Sequence, residues 1–186
     1  MSKVNGKSKG SRYEIKLTKM ISLWWTDNER DDIFYKSPGS GARFTSRRKI
    51  NLTTTNQDGD MSAYHEDGMQ LTNKLSFEFK HYKDLSLHTL ITGSSGIDGI
   101  LKFWIKHDKM ASDINKYPIL IAKQNRIPDY ILTDHTIGEL LTRNNLIRPV
   151  IVSYVFGNSI IHLFELSDFL KIPSKEFKEK ILNGLE

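Results

Sequence analysis

The sequence predicts a mixed α/β domain, on the basis of three observations. Residues 75–81 alternate apolar and polar side chains, as a strand with one buried face does. Residues 118–123 form an apolar run typical of a buried strand, and residues 97–110 repeat apolar side chains at helical spacing. The chain has 186 residues, of which 38% are hydrophobic, so it is long enough to bury a core. This order of helices and strands favours one domain.

The N-terminal quarter predicts a tail, a helix and a glycine-rich loop, in that order. Residues 1–10 are rich in Lys, Ser and Gly, so we expect a disordered basic tail there and one domain over residues 11–186. Ser11 and Glu14 have the spacing of a capping box, and the apolar spacing that follows predicts a helix to about Arg30. Residues 31–36 predict a short strand that enters the loop.

The remaining elements follow from turn signals and short apolar runs. Residues 50–56 fit either a loop or an edge strand, and Asp58-Gly59 indicates a turn before a short strand at residues 61–64. Residues 66–68 indicate a second turn, and residues 93–96 a flexible loop. Further strands are predicted at residues 127–133, 150–156 and 160–165, the last two as a hairpin through Gly157-Asn158, and short helices at residues 166–171 and 175–182.

Charge and composition limit the classes of function. Formal net charge is +5, and residues 1–49 hold 12 Lys and Arg against 5 Asp and Glu. This bias fits a polyanionic partner such as nucleic acid, or merely a basic tail. The absence of cysteine excludes disulfides and thiol catalysis, and it fits a cytoplasmic protein. No apolar run has the length of a membrane span. The six histidines show no metal-binding spacing, so we expect no zinc site.

Three polar residues form a candidate catalytic group. Glu78 and Lys80 lie two residues apart on the predicted strand, so their side chains point to the same face. Asp60 follows a glycine turn and could reach the same place from a neighbouring strand. Two converging carboxylates make an oxygen site suited to Mg²⁺, and a lysine beside them could orient water or stabilise developing charge. The alternative is an exposed sheet face with an ordinary Glu and Lys.

These residues resemble the PD-(D/E)XK nuclease superfamily. The resemblance rests on Gly59-Asp60, on Glu78-Phe79-Lys80 in a strong strand, and on a preceding helix with Glu14. Residues 34–42 look like a loop of a phage and bacterial group related to archaeal-type Holliday junction resolvases. The likeness covers residues 11–130. It implies a restriction-endonuclease-like fold, with a central mixed β-sheet flanked by helices and Mg²⁺ at one sheet edge.

The resemblance also assigns roles to individual residues. Asp60 and Glu78 match the two metal-binding acids, the carbonyl of Phe79 is a further metal ligand, and Lys80 matches the catalytic lysine. Glu14 matches a helix acid that joins the metal site; a role as a helix cap is the alternative, and both roles could hold in different states. The chain departs from the superfamily pattern in one respect, because Gly rather than Pro precedes Asp60.

DNA contacts are expected on both sides of this site. In the glycine-rich loop, Gly39 and Gly41 would let the protein backbone approach a phosphate, and the nearby arginines would position the DNA backbone. The alternative is a solvated loop that makes no DNA contact. Trp24 and Trp104 lie on apolar helical faces and are better explained by core packing than by base stacking, whereas for Trp25 both explanations stay open. The candidate DNA-binding residues are Ser37, Ser40, Arg43, Arg47, Arg48, Lys123 and Arg126.

We therefore expect a Mg²⁺-dependent DNA endonuclease, with Mn²⁺ as a substitute metal. The resemblance implies action on branched DNA in recombination or replication, as a homodimer, in a phage or bacterial setting. Two alternatives are a restriction-type endonuclease and a non-catalytic nucleic-acid-binding or phage structural protein. The second alternative is favoured if Asp60, Glu78 and Lys80 lie far apart in the fold.

Overall fold

A computed structural model describes residues 6–38, 59–87, 90, 99–155 and 159–185 of the chain. The helices are α1 (Gly6–Trp25), α2 (Glu66–Lys74), α3 (Ile100–Ser112), α4 (His135–Arg143), α5 (Leu166–Phe169) and α6 (Ser174–Lys180), followed by a 3₁₀ turn at Leu182–Gly184. The strands are β1 (Phe34–Lys36), β2 (Met61–Ala63), β3 (Leu75–Tyr82), β4 (Tyr117–Gln124), β5 (Tyr130–Thr133), β6 (Ile151–Val155) and β7 (Ser159–Glu165).

The main sheet has five strands in the order β3-β4-β5-β7-β6. β3 and β4 are parallel, with α3 as their crossover, and the other pairs are antiparallel. β1 and β2 form a separate antiparallel pair. The prediction of a mixed sheet flanked by helices, in a restriction-endonuclease-like fold, is confirmed.

Helices cover both faces of the sheet, because its central strands are apolar on both sides. Leu75, Phe77 and Phe79 of β3 face the core formed with α1, α4, α5 and α6. The opposite core contains Leu120 of β4 and Trp104 of α3. Trp24, Trp25 and Trp104 are at most 8% exposed. All three tryptophans therefore pack in the cores, as was expected for Trp24 and Trp104.

Helix α1 differs from the prediction at both ends. It begins at Gly6, so residues 6–10 belong to the helix and the expected disordered tail is wrong there; residues 1–5 lie outside the described range. A tertiary contact holds the first turns, because Lys9 Nζ donates to Asn125 Oδ1 at 3.2 Å. The helix ends at Trp25 because Asp27 and Asn28 adopt positive φ, and the Asn28 amide closes the last turn onto the Leu23 carbonyl at 2.7 Å.

Two further segments are helical where no helix was predicted. Residues 66–68 begin helix α2 instead of forming a turn, and Glu66 and Asp67 complement the helix dipole in its first turn. Helix α4 begins directly after its N-cap residue Asp134, whose Oδ1 accepts a hydrogen bond from the Ile137 amide at 3.0 Å. The loop predictions at residues 39–43, 50–56, 93–96 and 157–158 lie outside the described residues.

The sequence left the role of residues 134–186 open, and the strands described in this range complete the sheet. β7 pairs with β5, and β6 pairs with β7, so the two strands extend the sheet beyond β5. Helices α5 and α6 then return to the core around Trp24, where Phe169 and Phe177 pack against its ring. None of the helices in the described ranges has the length and hydropathy of a membrane span.

Candidate active site

The alternation of β3 positions Glu78 and Lys80 on one face of the sheet. Phe77 and Phe79 point into the core with α1, so the two polar side chains point to the side of α3. There they are partly buried, with 21% of the Glu78 side chain and 18% of the Lys80 side chain exposed. Their β4 partners are Leu120 and Ala122, which belong to the core on that side.

Asp60 is fixed against the outer edge of β3 by two hydrogen bonds. Its amide donates to the Phe77 carbonyl at 2.7 Å, and its Oδ2 accepts from the Phe79 amide at 2.8 Å. β4 pairs with the other edge of β3, so the segment at Asp60 lies along the edge to which no strand of the five-stranded sheet pairs within the described residues. Asp60 is only 4% exposed. Backbone contacts therefore hold this carboxylate beside the Glu78 and Lys80 positions.

Gly59 explains why the residue before Asp60 is not Pro. Its φ is +141°, and a Cβ built on it would lie 2.6 Å from the Phe77 carbonyl oxygen. Proline is restricted to a φ near −65°, and any other residue would carry the clashing Cβ. Glycine at this position is thus required for Asp60 to lie close against β3.

The three candidate catalytic side chains converge. Lys80 Nζ forms an ion pair with Glu78 Oε1 and lies 3.9 Å from Asp60 Oδ2. Two largely buried carboxylates thus share one ammonium group. This convergence is the arrangement that the catalytic hypothesis requires, and it counts against the alternative in which these residues lie far apart.

The pKa values of Glu78 and Lys80 are both shifted upward, but for different reasons. Burial raises the pKa of Glu78, the Asp60 carboxylate raises it further, and Lys80 opposes both effects. Burial lowers the pKa of Lys80, but the Glu78 and Asp60 carboxylates outweigh this, and the net shift is upward. The group therefore has a surplus of negative charge in a poorly solvated place, which favours a bound cation.

The donor atoms at this edge fit a divalent metal ion of the Mg²⁺ class. Asp60 and Glu78 offer carboxylate oxygens, which are the ligands that hard cations prefer. The amide of Phe79 points to the Asp60 edge, and the carbonyl of a strand residue projects to the same side as its amide. The expected set of Asp60, Glu78 and the Phe79 carbonyl is therefore compatible with the backbone and side-chain placement.

Glu14 lies beside the site but has a partner of its own. Its Oε2 pairs with Lys36 Nζ at 2.7 Å, and the same ammonium donates to Ser11 Oγ at 2.8 Å. Ser11 is inside α1, so the capping-box interpretation is wrong. Glu14 and Lys80 line one cavity of about 450 Å³. Within the described residues, Glu14 does not join Asp60 and Glu78 in a group whose ligand atoms all lie within 4.8 Å.

The expected DNA-binding residues have different outcomes. Ser37 is fully buried, its amide donates to the Asp60 carbonyl at 3.0 Å and its Oγ lies 2.7 Å from Ser62 Oγ. Its predicted DNA contact is therefore wrong, because the side chain supports the Asp60 segment from within. Lys123 pairs with Asp129 at 2.7 Å, and Arg126 is exposed in the turn after β4. Ser40, Arg43, Arg47 and Arg48 lie outside the described residues.

The structure reveals a basic surface, of which only Lys123 was among the DNA-binding residues predicted from the sequence. Lys9, Arg12, Lys16 and Lys123 line a cavity of about 560 Å³, which we call the basic groove. The groove also contains Tyr13 and His81, and it shares Lys9 and His81 with the cavity that contains Glu14 and Lys80. The available signal was the spacing of three cations on one face of α1, at positions i, i+3 and i+7.

Basic side chains also lie on the other side of the candidate site. Lys102 and Lys106 of α3 line a cavity of about 260 Å³ together with Glu78 and Lys80. The site therefore lies between the basic groove and the cations of α3. Such a distribution gives a polyanion favourable charge on two sides of the acidic residues.

Comparison with known proteins agrees with this geometry. The sequence matches the family described as "Phage putative PDDEXK endonuclease" over residues 5–178. No curated protein and no solved structure matches the chain. The matched range includes Asp60, Glu78 and Lys80, and it continues well beyond residue 130, where the resemblance seen in the sequence ended. Because the match covers nearly the whole chain, the chain belongs to this family of phage PDDEXK endonucleases.

Proposed function

We propose that the chain is a Mg²⁺-dependent endonuclease that hydrolyses phosphodiester bonds of branched DNA, in the manner of a Holliday junction resolvase. The observation that carries the catalytic part is the convergence of Asp60, Glu78 and Lys80 at the edge of β3 opposite β4. The preference for branched DNA rests on the resemblance of residues 34–42 to the resolvase-related group.

Each residue of the group has a distinct role in this proposal. Asp60, Glu78 and the Phe79 carbonyl hold the metal, and Mn²⁺ can replace Mg²⁺. When bound, the metal supplies positive charge that polarises the scissile phosphate. The Lys80 ammonium stabilises negative charge that develops on the phosphate oxygens, and it orients the attacking water. Glu14 supports the site from the adjoining cavity, where Lys36 fixes its carboxylate.

The surrounding cations bind the phosphate backbone of DNA. The basic groove and the cations of α3 lie on helices on either side of the site. Lys and Arg side chains that contact phosphates position a nucleic acid without reading its sequence. Selection by DNA shape rather than base sequence is consistent with this arrangement.

A homodimer is part of the same proposal. β6 is the last strand of the described sheet; Val150, directly before it, is 52% exposed, and Val152, within it, is 44% exposed. Exposed apolar side chains next to a sheet edge fit a protein–protein contact. Light scattering of the purified chain measures its mass directly, and a monomer that does not change with concentration would contradict this part of the proposal.

Cleavage of matched substrates tests the function. A labelled four-way junction and a linear duplex of the same sequence are incubated with the full chain in Mg²⁺, in Mn²⁺ and in chelator. We expect cleavage of the junction with either metal and none in chelator. Preferential cleavage of the duplex would instead indicate the restriction-type alternative. Tight, salt-sensitive binding without cleavage in either metal would indicate the non-catalytic alternative.

A further inference from the structure

A second group of metal-binding side chains lies away from the nuclease site. His135, Glu139 and His162 each offer a ligand atom, and these atoms all lie within 4.8 Å of one another. His162 is on β7, which is separated from β3 by β4 and β5. At about 4.8 Å per strand, this places the group roughly 14 Å from the β3 edge strand. No zinc site was expected from the sequence, because the chain has no cysteine and its histidines show no metal-binding spacing.

The strand register brings the two histidines together. Thr133, the last residue of β5, is the Cα partner of His162. Asp134 then caps α4, and His135 is its first residue, so the chain turns into the helix directly beside His162. Glu139 follows His135 at i+4 and therefore lies on the same face of α4.

Gly138 allows the helix to approach this closely. A Cβ built on Gly138 would overlap the His162 ring, so only glycine leaves room for the imidazole there. The ring is 1% exposed, and within the described part of the chain its Nδ1 makes no hydrogen bond. Its polar contacts therefore pass through Nε2, which faces His135 and Glu139. A buried imidazole with so few partners requires an explanation.

The distance between the two histidine nitrogens matches that of a tetrahedral metal site. His135 Nδ1 and His162 Nε2 are 3.3 Å apart. Two nitrogens bound to tetrahedral Zn²⁺ at about 2.0–2.1 Å are about 3.3–3.4 Å apart. Glu139 Oε1 lies 4.0 Å from His162 Nε2, and its side chain is 43% exposed. An exposed glutamate can move the remaining distance of about 0.7 Å by a small torsion change.

We propose that His135, Glu139 and His162 bind a transition-metal ion, with Zn²⁺ as the fitting ion, and that this ion joins helix α4 to strand β7. Two imidazoles and a carboxylate suit Zn²⁺, whereas Mg²⁺ prefers an all-oxygen site. His135 is exposed, so the fourth coordination position opens toward solvent. The ion can therefore enter and leave without unfolding of the chain.

Calorimetric titration of the tag-free full chain with Zn²⁺ tests the site. The protein is first stripped with a chelator and then held in excess Mg²⁺, so that the hard-oxygen site at Asp60 and Glu78 does not compete. We expect one Zn²⁺ per chain, and a rise in the thermal unfolding midpoint when Zn²⁺ is bound. His135→Ala and Glu139→Gln should each weaken binding by at least about tenfold, and both alter exposed or half-exposed side chains that the fold tolerates.

Two control variants test whether Zn²⁺ binds at this group and not at another site. His65→Ala removes a histidine outside the group, and Glu78→Ala removes a ligand of the proposed nuclease site; both should retain the full Zn²⁺ affinity. Co²⁺ should give the visible absorption of a tetrahedral complex in the wild type and in both controls. Absence of stoichiometric Zn²⁺ binding, or affinity unchanged by His135→Ala, would overturn the proposal. Loss of binding in Glu78→Ala alone would assign the ion to the nuclease site and overturn it equally.

Discussion

Gly59→Ala should displace the Asp60 carboxylate without removing it, and it therefore tests whether the position of this carboxylate matters for catalysis. The new Cβ would lie 2.6 Å from the Phe77 carbonyl oxygen, and φ at this residue is +141°. Strained backbone of this kind costs about 1–3 kcal/mol in a residue other than glycine. Non-bonded contacts prefer about 3.5 Å, so the segment must also retreat by up to about 1 Å from β3. That movement lengthens the 2.7 Å bond from the Asp60 amide to Phe77.

Two assays measure the two consequences of Gly59→Ala. Thermal unfolding should show a midpoint lower by about 2–12 °C, since each kcal/mol corresponds to about 2–4 °C in a chain of this size. Single-turnover DNA cleavage should slow by about 100-fold, because a displacement near 1 Å misaligns the catalytic group. Gly184→Ala is the matched control, since its new Cβ would lie 3.6 Å from Leu140, an ordinary contact. Wild-type stability and cleavage in the Gly59→Ala variant would refute the argument.

Two further predictions concern DNA binding and pH. A triple variant in which Lys9, Arg12 and Lys16 are all replaced by Ala should bind duplex DNA with a weaker salt dependence. In a fluorescence titration at several salt concentrations, the slope of the log binding constant against the log salt concentration should be shallower by about 2–3. An unchanged slope would mean that the basic groove does not contact phosphates. Burial raises the pKa of Asp134 to about 6 from 3.8, so the folded state retains a proton that the unfolded chain releases. The free energy of unfolding should therefore fall by at most about 3 kcal/mol as pH rises from 3.8 to about 6 and level off above that. Urea unfolding across this range should show the slope in the wild type and not in Asp134→Asn, which keeps the helix cap; equal slopes would contradict the assignment.

The parts of the fold that local patterns determine could be predicted from the sequence. β3 was predicted because its alternation is a local property of Leu75 to His81, and the buried run of β4 is equally local. The end of α1 was placed too late because positive φ at Asp27 and Asn28 leaves only a weak signal in the sequence. Helix α4 was missed although Asp134 and the apolar spacing of Ile137 and Leu141 were present in the sequence.

The parts of the site that depend on distant contacts could not be predicted. Ser37 was assigned to DNA, yet it is buried against Ser62, and no local feature of the glycine-rich segment indicates that partner. Glu14 was expected to cap a helix or bind metal, but it pairs with Lys36 from another element. The meeting of His135 and His162 depends on the pairing of β5 with β7, which the sequence does not reveal.

The central claim is that Asp60, Glu78 and Lys80 form one metal-dependent catalytic group. Its most direct test is single-turnover cleavage of a labelled four-way junction in Mg²⁺ by Glu78→Ala, beside Glu29→Ala as a control that removes an exposed acid far from the group in sequence. DNA binding is measured on the same samples in chelator. We predict that Glu78→Ala binds DNA as the wild type does and loses cleavage by at least about 1,000-fold, while the control cleaves normally. Cleavage by Glu78→Ala at the wild-type rate would contradict the claim.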